Sequence, residues 1–528
     1  MTLEHNKTLF VFNVLIRSIN QILGRSIVGV SMDPNNVIDL TDTIDDEQKQ
    51  TESNNKDLVQ VSRPTDDPEK PIVCPYLNTI DRRALDFDFE KLCSVSLSKN
   101  NVYACLVCGK YFQGRGRSTH AFTHSISEFH HVFLNLETLK IYCLPDNYEI
   151  KDDSLNDILF VLRPKFTKED LETLPMLTKP VKAYDGKHYF PGIVGLNNLK
   201  YNDYCNVIFQ ALSHVKSYRD YFLDESNTTP TKPGHERYML IQRFGELLRK
   251  LWCPQNFKAH VSPHEMLQAI VLTSKKRFEF TKQSDPIVFL GWFMNALLGP
   301  KREKNSIVKR TFQGKIRVSS RLLLPNVAAA SSDDPQLIPS SEEDQTITSF
   351  LYLTLNLPTM PLFPKKDEKG KVIKPRVSVY ELLKKFDGTT THEFRNFKES
   401  SVKRYELLRL PPYLILYYER FTKNTFFTEK NTHMVDFPMN NLNMAQFLAE
   451  PDQSEETDHK PVGAHSYRLI ANIVHDGEPD AGKGTYRVHI LHKGTEKWFE
   501  MQDLYVTEIS DTTLITLSEP YIQVWQRN

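Results

Sequence analysis

Apolar positions change their period several times along this chain, and each change marks an element. In Gly195–Leu212 the first residues are mostly polar, and then Ile208, Leu212 and, just beyond, Val215 recur at helical spacing. The stretch predicts a tight turn running into a helix, with Asn202 or Asp203 as its N-cap. Gln283–Leu298 predicts a second helix, with Phe289, Leu290, Phe293 and Leu297 on one face. Leu410–Phe421 mixes alternating and continuous apolar residues, which suits a central strand. Thr167 followed by Asp170 predicts a short helix that Pro175 and Pro180 stop. Charged insertions at 330–345, 365–375 and 450–460 predict exposed loops. Residues 33–70 are polar and acidic and cannot bury enough apolar surface to fold alone, so residues 1–70 are expected to form a disordered tail.

Composition narrows the class. A chain of 528 residues has room for about two to four domains. Hydrophobic content of 40% with 25% charged residues is that of a globular protein. The formal net charge is zero, which predicts no broad electrostatic footprint for nucleic acid but leaves room for a local basic face. No stretch is long and apolar enough to span a membrane, so no membrane partner is expected. Thr8–Val30 comes closest. With Lys7, Arg17 and Arg25 and no acid it imitates a transit peptide or amphipathic anchor; the bland reading is a disordered or mis-assigned start with Met32 as the working initiator, and the choice between Met1 and Met32 stays open.

Candidate metal chemistry comes from the cysteines. Cys74, Cys93, Cys105, Cys108, Cys143, Cys205 and Cys253 are odd in number and confined to the first half, and two of them form a CxxC. That favours a reduced compartment and a metal site over a disulfide framework. The spacing Cys105-x2-Cys108-x15-His124-x5-His130 suits zinc, because a CxxC turn aims two thiolates at one point and two histidines can close the tetrahedron. A set using His120 and His124 would imitate a DNA-reading finger, but the helical base-reading face is missing. The bland alternative is core cysteines with surface histidines.

Residues Cys105–His131, CLVCGKYFQGRGRSTHAFTHSISEFHH, together with Tyr142–Tyr148, resemble the ubiquitin-protease-type zinc finger. Larger members of that family hold three zincs. Here Cys74 precedes Pro75 and Tyr76 where a histidine would be expected, Cys93 lacks a CxxC mate and Cys143 stands alone. The resemblance therefore implies one zinc, with these three cysteines in the core. Lys110 stands where the family often places an arginine that grips the ubiquitin C-terminus, and a lysine lacks the planar two-pronged donor set.

Gly195–Leu212 resembles the first signature box of the ubiquitin-specific proteases, roughly GLxNLGNTCYxNSxLQxL, with Gly195, Leu196, Asn198, Leu199, Tyr204, Asn206, Gln210 and Leu212 in register. Further landmarks follow in order. Gln283–Leu298 resembles the QDAxEFL helix, Leu410–Phe421 the LPxxLxxxLxRF strand, Tyr467–His475 the next strand and Pro520–Trp525 the closing one. The implied fold is α+β and papain-like, with thumb, palm and fingers, preceded by a small α/β zinc-finger domain. The expected boundaries are 71–151 for the zinc finger, 152–184 for a connector and 185–528 for the protease-like domain. No cysteine follows Cys253, so the fingers are expected to be metal-free.

The same resemblance locates the catalytic places. A cysteine protease needs a thiolate, a histidine base and a group to orient it. The nucleophile place is Asp203, the base place is Thr485 and the orienting place is Gln502. Only Asn198, at the oxyanion position, is retained. Cys205 points to another helix face and cannot substitute. His475 and His489 are better placed as strand residues than as bases.

A zinc finger of this type joined to a protease-like domain with Asp at the nucleophile place resembles the inactive, tri-snRNP-associated branch of the family. That implies a nuclear, non-catalytic scaffold in pre-mRNA splicing that supports assembly or stability of the spliceosomal tri-snRNP through its proteins, and it leaves direct RNA contact open. A non-catalytic reader of ubiquitin or ubiquitin-like proteins is the competing expectation. Residual isopeptidase activity is the third. In the acidic tail, Val37, Ile38, Asp39 and Leu40 followed by acids resemble a SUMO-interacting motif, which would add a strand to a partner's sheet edge.

Overall fold

The computed structural model describes residues 73–528, except 89, 229–235, 299–305, 326–336, parts of 362–372, 396–399, 424–427, 450–464 and 481. The acidic tail with Val37–Leu40, and the whole 450–460 insertion, lie outside the described residues.

The N-terminal module is built on a five-stranded antiparallel sheet in the order Tyr111–Gln113, Val102–Cys105, Val132–Asn135, Ile141–Cys143, Tyr148–Ile150. Alternation of side chains makes both faces apolar. Val102, Ala104, Val132, Leu134 and Ile141 share one core with Leu155 and Ile158. Tyr103, Cys105, Phe112 and Phe133 form another with Ala121 of the helix His120–Ser127. Cys74 and Cys143 lie in the first core, and Cys93 is buried as well. The connector, expected to hold a helix only after Thr167, also carries one at Asn156–Leu162 that packs on this module. Its second helix, Lys168–Thr173, starts where predicted. The Thr167 hydroxyl accepts from the Asp170 N–H at 3.2 Å, and Asp170 accepts from the Thr167 N–H at 2.7 Å. Pro175 sits in the 3-10 turn that follows.

In the large domain, the helices Asp203–Ser213, Lys216–Leu223, Glu236–Leu251, His264–Thr273 and Pro286–Leu297 form a thumb. Phe289, Leu290, Phe293 and Leu297 all face its core. The palm is an eight-stranded sheet. Its main path runs Leu353–Asn356, Tyr413–Glu419, Pro520–Arg527, Ser466–Gly477, Gly484–His492, Lys497–Gln502, Tyr505–Ile509, and Leu442–Asn443 pairs beside Ser466–Gly477. One face of the sheet packs on the thumb through Ala471, Ile473, Val488, Ile490 and Phe499. The opposite face buries Tyr467, Leu469, Leu491 and Trp525 in a second core. The landmark strands are thus adjacent in the middle of the palm.

The fingers are a separate sheet around the long strand Gly314–Pro325, with Ser400–Arg409 and then Asp387–Arg395 on one side. On the other side pair Leu337–Pro339 and Asp344–Phe350. The loop expected at 330–345 is therefore partly strand. Asp344–Phe350 is exposed along almost its whole length, so no apolar alternation betrayed it, and ladder hydrogen bonds to Gly314–Pro325 hold it.

Acidic residues ahead of the first strand tie the zinc-finger module to the thumb. Asp86 pairs with Lys258, and Asp88 with Lys250 at 2.7 Å. Glu90 meets His264 at 3.0 Å and Gln268 at 2.6 Å. Phe257 joins the module's core. No helix among the described residues is long and apolar enough to cross a membrane.

Candidate functional site

Two sites emerge, one in each module. In the first, Cys105 ends a strand, and the chain turns back so that the Cys105 N–H donates to the Lys110 carbonyl at 2.9 Å. The turn needs Gly109. Its φ is +73°, and a Cβ there would stand 2.3 Å from the Ala84 carbonyl oxygen. His124 projects from the helix, its ring stacked on Phe112 at 4.2 Å. His130 follows Phe129, whose φ of 58° reverses the chain.

The structure brings Cys105, Cys108, His124 and His130 together, with all four ligand atoms within 4.8 Å of one another. Cys108 Sγ lies 3.5 Å from His124 Nε2, which lies 3.1 Å from His130 Nδ1. A tetrahedron of ordinary zinc bonds puts such atoms about 3.3–3.8 Å apart, so the donor set fits the ion. His120 is outside the cluster. His131 is engaged elsewhere, with Nδ1 2.8 Å from the Leu144 carbonyl oxygen and its ring on Tyr76. Lys110 is exposed.

The second site lies where the thumb helix Asp203–Ser213 meets the palm. Asn202 takes the N-cap position but does not cap with its side chain. Instead Asn202 Oδ1 accepts from the Leu199 N–H at 2.7 Å, and Nδ2 donates to Asn197 O and Asn206 Oδ1, which shapes the turn. Asp203 opens the helix and is buried. Its Oδ2 accepts from Gln283 Nε2 at 2.7 Å and from the Tyr486 N–H at 3.1 Å, while Oδ1 has no hydrogen-bond partner among the described residues. Burial raises the Asp203 pKa, against the pull of the Tyr486 and Gln283 hydrogen bonds.

Thr485 and Gln502 face each other on neighbouring strands, and Gln502 Nε2 donates to Thr485 Oγ1 at 3.3 Å. Residues 203, 485 and 502 therefore converge, although no thiol or imidazole stands at any of them. Asn198 is present, but its Nδ2 donates to Asp503 Oδ2 at 2.9 Å. Asp503 was not singled out from the sequence. It also accepts from Asn206 at 2.9 Å, and so ties the turn to the palm across about 300 residues of chain.

The other thiol and the nearby histidines are occupied by packing. Cys205 is fully buried in the thumb core, and burial pushes its thiol pKa up. His475 is buried against Phe421 and Tyr486, which pushes its pKa down to about 4. It sits over Gly484, where a Cβ would meet its Nε2 at 2.2 Å. His489 is held by Asn472 at 3.2 Å and Glu500 at 3.2 Å.

The family model described as ubiquitin carboxyl-terminal hydrolase matches residues 194–525. The chain belongs to that family. A second model, described as a zinc finger in ubiquitin hydrolases and other proteins, matches residues 93–155. Human ubiquitin carboxyl-terminal hydrolase 39 is 54% identical over 462 residues, covering 86% of this chain and 80% of that protein. The probable mRNA-splicing protein ubp10 of Schizosaccharomyces pombe is 42% identical, covering 86% and 88%. The pre-mRNA-splicing factor SAD1 of Saccharomyces cerevisiae is 32% identical, covering 86% and 93%. A solved structure, the crystal structure of an essential yeast splicing factor, is similar with a TM-score of 0.66 at 30% identity, covering 86% of this chain and 99% of that one. The hydrolase-family match and the zinc-finger match thus occur together in a chain whose relatives include proteins named for splicing.

Proposed function

We propose that this protein is a nuclear, non-catalytic scaffold of pre-mRNA splicing that supports assembly or stability of the tri-snRNP. The observation that carries the reading is the contact between Gln502 and Thr485 beside the carboxylate of Asp203. The framework that would align a catalytic triad is intact, yet every group in it is inert toward an amide. A carboxyl group is a poor nucleophile toward an amide, a threonine cannot accept a proton at neutral pH, and Gln502 has no imidazole to orient. What persists is a folded surface of thumb, palm and fingers able to dock other proteins.

The zinc-finger module is read as holding one ion through Cys105, Cys108, His124 Nε2 and His130 Nδ1. When bound, zinc supplies a structural cross-link there, joining the strand turn to the helix and to the loop after it. The remaining cysteines serve as core.

The test is affinity purification of the tagged full chain from nuclear extract, with RNA and protein identified. Recovery of tri-snRNP RNAs and proteins, stable to moderate salt, is the expected result. Recovery of ubiquitin or SUMO conjugates without snRNPs would replace the scaffold by the reader. In parallel, a ubiquitin-based substrate is expected to show no turnover, and turnover abolished by thiol alkylation would overturn the inactive assignment.

A further inference from the structure

The thumb carries a cluster of cations that neither the vacated triad nor the zinc-finger module uses. The helix His264–Thr273 ends in the run Ser274-Lys275-Lys276-Arg277, and Lys282 follows before Gln283 enters the pseudo-active site. On the neighbouring segment, Lys200 and Tyr201 lead into the helix at Asp203. Lys200, Lys275, Lys276, Arg277 and Lys282 are all exposed, and none forms a salt bridge with another described residue. The nearest acid in sequence, Glu279, is half-buried and accepts from Thr281. Gly482 lies close to the Tyr201 ring, and in the same loop Lys483 holds Glu478 and Asp480.

Hydrogen bonds fix these cations on one rim. The Tyr201 N–H donates to the Phe280 carbonyl at 3.0 Å, and Tyr204 OH to the Glu279 carbonyl at 3.4 Å. Arg277 and Phe280 are three positions apart, at most about 11 Å of chain. Phe278 is buried among Phe289 and Trp292 and anchors the turn from below. The Arg277 guanidinium lies over the Phe278 ring at 5.2 Å.

The turn is also built in an unusual way. Lys275 and Lys276 have φ of 53° and 62°, two consecutive left-handed residues at a helix C-terminus where glycine is the ordinary choice. The Lys276 N–H donates to Val271 O at 2.8 Å and holds the conformation. The strain is borne while two long cationic side chains stay in solvent, a pattern that goes with function. Beside them, Tyr201 is 40% exposed, an aromatic face on the same rim.

We propose that this rim binds single-stranded RNA, with Lys200, Lys275, Lys276, Arg277 and Lys282 on phosphates and Tyr201 stacking a base. The inference rests on the splicing reading above, which puts RNA within reach of the protein. An acidic polypeptide would use the charges but not the exposed ring, so the ring favours RNA. The balanced charge of the whole chain is no obstacle, because the field that matters is local.

The test uses the full chain and a fluorescein-labelled oligouridylate, followed by fluorescence anisotropy between about 50 and about 200 mM salt. The K275Q/K276Q/R277Q variant should lose roughly tenfold or more in affinity and flatten the log–log salt slope by about 2. Tyr201→Ala should lose about fivefold or more with the slope unchanged. Melting temperatures measured alongside separate a loss of contacts to RNA from a loss of fold, and the exposed K275Q/K276Q pair, which should lose part of the affinity without a change in melting temperature, controls for the packing of Arg277 and Tyr201. Equal binding by the wild type and the triple variant would overturn the proposal. So would displacement of RNA by polyglutamate together with no effect of Tyr201→Ala, which would make the rim a surface for acidic polypeptide. If the wild type recovers tri-snRNPs from extract while the rim fails this test, the rim inference falls and the scaffold stands. Rim-dependent RNA binding without snRNP recovery would instead overturn the scaffold and keep the rim.

Discussion

Asp203 has one carboxylate oxygen held by Gln283 and the Tyr486 N–H and one with no partner among the described residues, in a buried position. Its raised pKa means that folding favours the protonated acid. Its stabilising contribution is therefore complete below the ordinary aspartate value of about 3.9 and is lost as pH rises through the raised one. Asp203→Asn keeps an acceptor for the two donors and removes the buried charge. It should melt higher than the wild type at pH 7, by about 2–4 °C for each kcal/mol gained, with the gap closing toward pH 4. Differential scanning fluorimetry across that range checks it, and a pH-independent gap would mean that the charge is not the cause. At this scale the sequence could say which residues lack protease chemistry. It could not say that Thr485 and Gln502 bond to each other, or that Asp503 draws in Asn198 and Asn206, because those pairs form only when distant segments meet.

Among elements, those with a strong local signal were legible and those without one were not. The thumb helices at 203 and 286 and the palm strands carry apolar periods that survive in the cores. The capping box at Thr167 and Asp170 is local chemistry and formed as read. Asn156–Leu162 and Asp344–Phe350 were missed, the first because it is short and its continuous apolar run Ile158–Leu162 has no helical period, the second because its side chains face solvent. The zinc-finger strands are only 3–4 residues long, and its fold depends on closing the turn, helix and loop at one point. Cys108→Ser is therefore expected to lower bound zinc from one ion per chain toward none and to expose residues 100–150 to protease while the palm stays folded. Metal analysis with limited proteolysis reads both, and full zinc retention would exclude Cys108 as a ligand.

In the whole molecule, the zinc-finger module and the thumb are joined by Asp86, Asp88 and Glu90 meeting Lys258, Lys250 and His264. These are partly exposed pairs worth roughly 1 kcal/mol each, so the joint is modest and salt-sensitive. Replacing both Asp86 and Asp88 by Ala should split one melting transition into two and speed tryptic cleavage between residues 163 and 182, within the expected 152–184 connector. A single unchanged transition would show that the Phe257 contact suffices. The family landmarks, the CxxC with its histidines and the absence of Cys or His from positions 203, 485 and 502 were legible in the sequence alone, because each is a residue type at a local spacing. Only the tertiary structure decided that 203, 485 and 502 share one place, which cysteines and histidines converge, and which cations rim the cleft. Those are distances between segments up to 300 residues apart, set by how the thumb packs on the palm rather than by any local pattern.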